Sequence, residues 1–303
     1  MTYRRTRLDA LAMGLMLLFS ALWGFNQVAV KVANESISPL FQAGLRSFAA
    51  SAMIWIWCGA RGIPLLKRDG SLGPGLLAGL LFAAEFGLIY WGLEYTTASR
   101  GVLFLYTAPF VVAAGTHWLV PSERLRWAQI AGLVFAFAGV FAAFADDTLS
   151  STRQQLIGDA MLLAAAIIWG ATTVTVRASV LARINPAKTL LYQLGVSAIG
   201  LLVAAAIVGE PGFTNPSSLG LVSLAWQIVV VAFASYLGWF WLMSRYLATE
   251  LSAFSFLTPL FGMAFGATLL GEHVGPLLLL ALVCVALGLW LVNRQPRNVN
   301  TGV

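Results

Sequence analysis

Along the chain, apolar runs of roughly 20 residues alternate with short breaks made of charged residues, proline and glycine. Read by those breaks, the sequence predicts ten spans, at 8–33, 39–59, 74–95, 99–119, 125–144, 156–180, 186–207, 221–246, 252–270 and 276–292. Each is close to the length, about 20 residues, that carries a helix across a hydrocarbon core. Only helices and closed barrels satisfy every backbone polar group without water, and these runs are continuous where barrel strands would alternate. Helices are therefore expected. The connections are short. The longest polar ones, RGIPLLKRDGSLG and EPGFTNPSSLG, read as loops, so no soluble domain is expected.

Composition agrees: of 303 residues, 59% are hydrophobic and 10% charged, with a mean hydropathy of +0.84. The solvent for most of this chain is lipid. If the N-terminus is cytoplasmic, fourteen of the eighteen Lys and Arg fall on the cytoplasmic side, with Lys31, Arg100 and Arg153 opposite and Arg46 inside a span. Both termini are thus expected in the cytoplasm. The net charge of +6 follows from this bias, and because the basic residues are dispersed over loops, nucleic acid is not an expected partner. Arg4, Arg5 and Arg7 resemble the positive region of a signal peptide, but the following apolar run is long and lacks a small-x-small cleavage site. It reads as a retained first helix. Cys58 and Cys284 are isolated, and packing is expected of them, not a disulfide.

The spans repeat. ALWGFNQVAVK (21–31) aligns with IIWGATTVTVR (167–177) at an offset of 146, matching Trp23 with Trp169 and Gly24 with Gly170. SPLFQAGLR (38–46) meets NPAKTLLYQ (185–193) at 147, and ASRGVLFLYTAPF (98–110) meets ATELSAFSFLTPL (248–260) at 150, pairing Pro109 with Pro259. Five spans per copy is an odd number, so the second copy must enter the membrane from the opposite side. The predicted fold is an all-α polytopic membrane protein of ten helices, as two inverted five-helix repeats over 1–148 and 149–303. Halves related in this way rock about a midplane site, which is alternating access. Pro109 and Pro259, at matching depth in the fourth helix of each half, are candidate hinges; a static kink that helps packing is the competing reading.

The doubled WG motif, the paired prolines, and the following boundaries PSERLRWAQIAGLVFAFAGV and GEHVGPLLLLALVCVALGL resemble the EamA family of the drug/metabolite transporter superfamily. The resemblance covers essentially the whole chain and is strongest to YddG-type exporters of aromatic amino acids. It implies ten helices, a bacterial inner membrane, and export of amino acids or related metabolites.

Charges inside spans cost about 2.5–3.5 kcal/mol each at a helix centre, so each needs a reason. Arg46 lies about 10 Å from the outer face and Glu85 about 16 Å from the inner face at a rise of about 1.5 Å per residue. In a core of about 30 Å these depths nearly meet, and the two are expected to pair or to share a ligand. The repeat sets Gln193 opposite Arg46 and Ala234 or Ser235 opposite Glu85, so the fold itself demands neither charge. A zwitterionic amino acid needs a cation for its carboxylate and an acceptor for its ammonium, which these two supply. Glu85 is also a candidate for proton coupling.

Aromatic candidates for the cavity wall are Trp23 and Trp169, for which packing beside Gly24 and Gly170 is an equal reading, then Tyr90, Tyr106, Trp239 and Trp241. Asn26, Gln42 and Gln193 add uncharged hydrogen-bonding groups, which in lipid also join helices. GLLAG (75–79) and GMAFG (262–266) are small-xxx-small patterns expected to pack. The fifth and tenth spans, almost free of polar residues, are expected at the periphery.

The chain contains no HExxH, GxSxG, Walker-type GxxxxGK[ST] or Cys–His cluster, so neither catalysis, a metal nor a cofactor is expected. His117 and His273 read as interfacial or packing residues. Lipid scrambling and intramembrane enzymology remain as more remote alternatives, and the oligomeric state is expected to be a monomer or a weak homodimer.

Overall fold

The computed structural model describes residues 9–119, 152–246, 254 and 257–293, with Trp127, Ile130, Ala131, Gly132, Val134, Phe135, Ala138 and Gly139. The helices are α1 (Ala10–Asn34), α2 (Pro39–Ala60), α3 (Leu72–Tyr95), α4 (Ala98–Leu105) and α5 (Ala108–Leu119) in the first half. In the second half they are α6 (Arg153–Ala178), α7 (Pro186–Val208), α8 (Ser218–Trp226), α9 (Tyr236–Arg245), α10 (Leu257–Leu270) and α11 (Pro276–Asn293). A π-helical stretch, Gln227–Ser235, joins α8 to α9 into one long span. The predicted helix ends agree with these to within a few residues. Of the expected fifth span, the described residues are all helical, and the expected repeat boundary at 148/149 lies outside the described residues.

Local chemistry sets the helix starts. Asp9, Thr97, Thr152, Asn185 and Ser217 each accept a hydrogen bond from a backbone N–H in the following turn, satisfying donors that a helix start leaves open. Pro39 and Pro186, matched in the repeat, both open the second helix of their half, where a missing N–H costs nothing. Among the described residues, five helical stretches are long and apolar enough to cross a bilayer unaided, within 10–34, 72–95, 153–178, 186–208 and 218–239. At 22 residues α2 is long enough as well, but Gln42, Arg46, Ser47 and Ser51 interrupt its apolar run.

The fourth span departs from the expected single helix. It stops at Leu105, turns through Tyr106 and Thr107, and resumes at Ala108. Pro109 has no N–H for the Leu105 carbonyl and sits in the second position of α5, a place that tolerates proline. In the second half Pro259 is the third residue of α10.

The halves interlock through small residues. A Cβ on Gly24 of α1 would meet the Gly262 nitrogen at 2.7 Å and the Thr258 oxygen and Phe261 Cβ at 2.9 Å, all on α10. A Cβ on Gly170 of α6 would meet Val111 Cβ at 2.5 Å and the Ala108 oxygen at 3.4 Å, on α5. Ala108 and Val111 are the repeat equivalents of Thr258 and Phe261, so one contact is made twice, each time between the first helix of one half and the proline-started helix of the other. The glycines of the WG motif are therefore packing residues. Between these contacts α2 crosses α7, where Gly44 meets Leu202, and α3 meets α6, where Gly92 lies against Gly158. Gly79 and Gly262 are likewise filled by Val196 and Val102, as their motifs predicted. At the edge, Gly139 lies against Ala281 and Cys284, while Trp127, Val134, Leu280 and Trp290 face outward. Cys58 and Cys284 are free thiols.

α1 runs from what we call the near face to the far face. On the near face Lys188 Nζ donates to Asp69 at 2.9 Å and to the Lys67 carbonyl at 2.8 Å, tying the 61–71 loop to α7. Hydrogen bonds from Ser71 and the Lys188 ammonium hold the Asp69 carboxyl down at about 2.

Two outcomes follow. Gly24→Ala and Gly170→Ala are each expected to destabilise by about 1–3 kcal/mol through overpacking, whereas Gly14→Ala, whose Cβ meets nothing within 4 Å, is expected to be neutral or stabilising; thermal unfolding in detergent reads the difference. Because its folded value lies below the ordinary one of about 3.9, the Asp69 tether contributes fully above roughly pH 4 and is lost as pH falls through about 2. The melting difference between wild type and Asp69→Asn should thus stay constant at neutral and mildly acidic pH and shrink only in strong acid; a change near neutrality would contradict this.

Candidate functional site

Midway along the spans, α2, α3, α9 and the π-helical stretch converge on a set of buried polar side chains. Gln42 and Arg46 lie one turn apart on α2, hence on one face of it. Glu85, Phe86 and Tyr90 come from α3, and Gln227, Ser235 and Tyr236 come from the long α8–α9 span. The π-helical winding places Gln227, Val231 and Ser235 on one inward side, where all three are buried.

Arg46 is 0% exposed. Its Nη2 donates to the Tyr236 hydroxyl at 3.1 Å, and its guanidinium carbon stands 4.5 Å from the centre of the Phe86 ring. Nε and Nη1 have no acceptor, and Glu85 Oε2 has no donor. The expected ion pair between Arg46 and Glu85 does not form. Neighbouring side chains on a helix point about 100° apart, so a guanidinium stacked on Phe86 turns away from Glu85. Both charged groups remain buried with hydrogen-bonding capacity unfilled, which is costly wherever hydrocarbon surrounds it.

Alongside them runs a hydrogen-bond chain. Tyr90 OH donates to Gln227 Oε1 at 2.6 Å, Gln42 Nε2 donates to the same oxygen at 3.3 Å, and Gln227 Nε2 donates to the Ala29 carbonyl at 3.2 Å. Gln42 Oε1 and Asn26 Oδ1 are buried without donors. Trp23 Nε1 donates to Ser235 Oγ at 3.0 Å, and the Trp23 ring meets Trp239 edge-on at 5.7 Å and Phe19 at 5.9 Å. Tyr106, at the break in the fourth span, meets Trp169 edge-on at 5.8 Å. Trp241 lies under Arg245, whose guanidinium is 4.4 Å from its ring, toward the near face. Gln193 is half-buried on α7 and takes no part in the hydrogen bonds of the cluster. Pro109 and Pro259 stand beside the Gly170 and Gly24 contacts.

Gln227 and Tyr236 were missed by sequence reasoning. Gln227 carried the same signal as Gln42, an amide inside an apolar span. Nothing in IVVVAFAS announces π-helical winding.

Contacts between the halves close both ends of the cluster. On the far face Arg100 donates to Asp159 through Nε at 3.0 Å and Nη2 at 2.5 Å, and Thr96 Oγ1 donates to the other carboxylate oxygen at 2.5 Å. Glu272 accepts from the Ala98 and Ser99 amides at the start of α4, and Glu210 from the Leu40 and Phe41 amides at the start of α2. Each carboxylate comes from the second half and fills a helix N-terminus of the first. Lys31 Nζ caps the end of α3 through the Leu93 and Thr96 carbonyls. On the near face the Tyr246 hydroxyl donates to Asp9 at 2.6 Å. Thr96 and Tyr246, equivalent in the repeat, both end their helix in extended backbone and both hold an aspartate of the opposite half.

A family model described as "EamA-like transporter family" matches residues 10–145 and again 156–294. The chain is 29% identical over 286 residues to a probable amino-acid metabolite efflux pump of Escherichia coli strain K12, covering 91% of this chain and 93% of that protein. It is 22% identical to the uncharacterized transporter YoaV of Bacillus subtilis strain 168, covering 89% and 92%. A crystal structure at 19% identity superposes with a TM-score of 0.66 over 94% of this chain and 98% of that one, a likeness of fold.

The Arg100–Asp159 pair gives a stability test. Arg100→Met or Asp159→Leu alone leaves a buried charge behind and is expected to cost about 3–5 kcal/mol, while the double substitution recovers most of that loss. Melting temperatures of the four proteins in detergent give the coupling.

Proposed function

The chain belongs to the EamA-like transporter family, and on that premise we propose that it exports amino acids with aromatic or large apolar side chains, and related metabolites, by alternating access. Membership makes it a multi-pass membrane transporter, and the efflux pumps among its relatives support export as the direction. The observation that carries the substrate class is the pair of buried, unfilled charges on α2 and α3: donors on Arg46 and an acceptor on Glu85. A zwitterion satisfies both at once and leaves the site electrically balanced. Trp23, Trp239, Tyr106 and Trp169 supply the aromatic surfaces that large apolar side chains favour.

In this reading the substrate bridges Arg46 and Glu85 while Tyr236, from the other half, hands part of the guanidinium over to it. The far-face contacts at Asp159, Glu272 and Glu210 and the near-face contact at Asp9 then exchange as the halves rock. Pro109 and Pro259 supply the bends about which the fourth helices reorient. The bacterial inner membrane with both termini cytoplasmic is the setting that the basic loops support, as a monomer or weak homodimer. An exporter of cationic or neutral drugs is the second reading; such substrates would not need Arg46.

The test is counterflow of labelled L-phenylalanine in liposomes, with and without a proton gradient. Arg46→Ala is expected to lower counterflow about 10- to 100-fold, the loss of a charge-assisted hydrogen bond worth about 1.5–3 kcal/mol. Undiminished counterflow in that variant would sink the zwitterion reading. Glu85→Gln is expected to weaken transport and flatten its pH dependence; if both are unchanged, Glu85 carries neither the ammonium nor a proton.

A further inference from the structure

The chain of amides beside Arg46 has a polarity that its ends dictate. The Ala29 carbonyl only accepts, so the group of Gln227 that faces it at 3.2 Å must be the NH2. Gln227 Oε1 therefore points the other way, toward the Tyr90 hydroxyl at 2.6 Å and Gln42 at 3.3 Å. Two groups now meet one oxygen, so both must donate: Tyr90 its hydroxyl proton and Gln42 its NH2. The Val30 carbonyl, 3.5 Å from Gln42 Nε2, asks for the same orientation. Turning the Gln42 amide over would set oxygen against oxygen at Gln227.

The consequence is a fixed acceptor. Gln42 Oε1 is held on the side away from Gln227, is fully buried, and has no donor. It stands one helical turn from Arg46 on the same face of α2, and Glu85 Oε2 and Asn26 Oδ1 are likewise buried without a donor. An ammonium has three N–H groups, and one carboxylate oxygen does not satisfy them.

We propose that Gln42 Oε1 is the second acceptor for the substrate's α-ammonium and that Gln227 and Tyr90 are positioning residues that hold it in that orientation. The proposal rests on the zwitterion reading given above and deepens it. It assigns to Gln42 the discrimination between an amino acid and the same carboxylate without its amine. A site built to accept N–H donors rejects analogues lacking them, because its buried oxygen is then left bare. Joining helices uses only the NH2 of Gln42; the buried oxygen is left over, open to a donor from a ligand.

The experiment compares L-phenylalanine with 3-phenylpropanoate as inhibitors of labelled L-phenylalanine counterflow, using the full chain in liposomes. Wild type is expected to prefer the amino acid by about 10-fold or more. Gln42→Met, which keeps the length and removes the oxygen, is expected to weaken L-phenylalanine about 10-fold and leave 3-phenylpropanoate unchanged, collapsing the preference. Gln227→Met leaves Gln42 in place but frees its amide to turn, and reduces the preference in the same sense by several-fold; it serves as the readout if Gln42→Met does not fold. Equal weakening of both inhibitors in these variants, or no change in either, overturns the proposal while the zwitterion reading stands. Failure of wild type to recognise L-phenylalanine, or an Arg46→Ala variant that binds it normally, overturns both.

Discussion

Hydrocarbon accepts and donates no hydrogen bonds, so a chain that lives in it must satisfy its polar groups from within or leave them as sites for something else. Most of this protein obeys the first alternative: side-chain caps close the helix starts, and the second half's Glu210 and Glu272 fill two helix N-termini of the first. Against that background the bare nitrogens of Arg46 and the bare oxygens of Glu85 and Gln42 stand out. They lie on α2 and α3, where the two halves meet, with further bare oxygens on α1 at Asn26, Gln27 and Asn34. That is the placement a transport site between repeats requires.

The glycine contacts explain how the halves can be both intimate and mobile. Gly24 brings α1 against the backbone of α10 at Gly262 and Thr258, and Gly170 brings α6 against the Val111 side chain of α5. Such contacts rely on shape and dispersion, since lipid provides no hydrophobic drive between helices. Polar contacts supplement them, within the buried cluster and at the two ends. The far face carries an ion pair, a hydroxyl and two carboxylate-filled helix starts, and the near face carries the Lys188–Asp69 ion pair and the tyrosine–aspartate hydrogen bond that joins α1 to the end of α9. The equivalent helices end in the same extended geometry at Thr96 and Tyr246.

Departure from the repeat marks the buried polar cluster. The fold uses the symmetric positions twice, as with Pro39 and Pro186 or Gly24 and Gly170. Arg46, Glu85 and Gln227 each occur once, facing Gln193, a small residue and an apolar residue in the other copy. A site made from unmatched residues in a matched frame can bind an asymmetric ligand while the frame still moves symmetrically.

The sequence by itself determined the apolar spans, the doubling and the inversion, and it marked Pro109 as a place of bending, because bilayer thickness, missing N–H groups and an odd span count act on composition and order alone. It also identified Arg46, Glu85 and Gln42, whose burial costs are visible wherever their spans lie. Only the tertiary structure decided which way these side chains face. The helices are apolar nearly all round, so no polar stripe fixes their rotation, and that rotation is set by which glycines meet across the halves. Hence Arg46 stacks on Phe86 and reaches Tyr236 in place of Glu85, Arg100 finds Asp159, and the amide of Gln42 takes its direction from a carbonyl on α1.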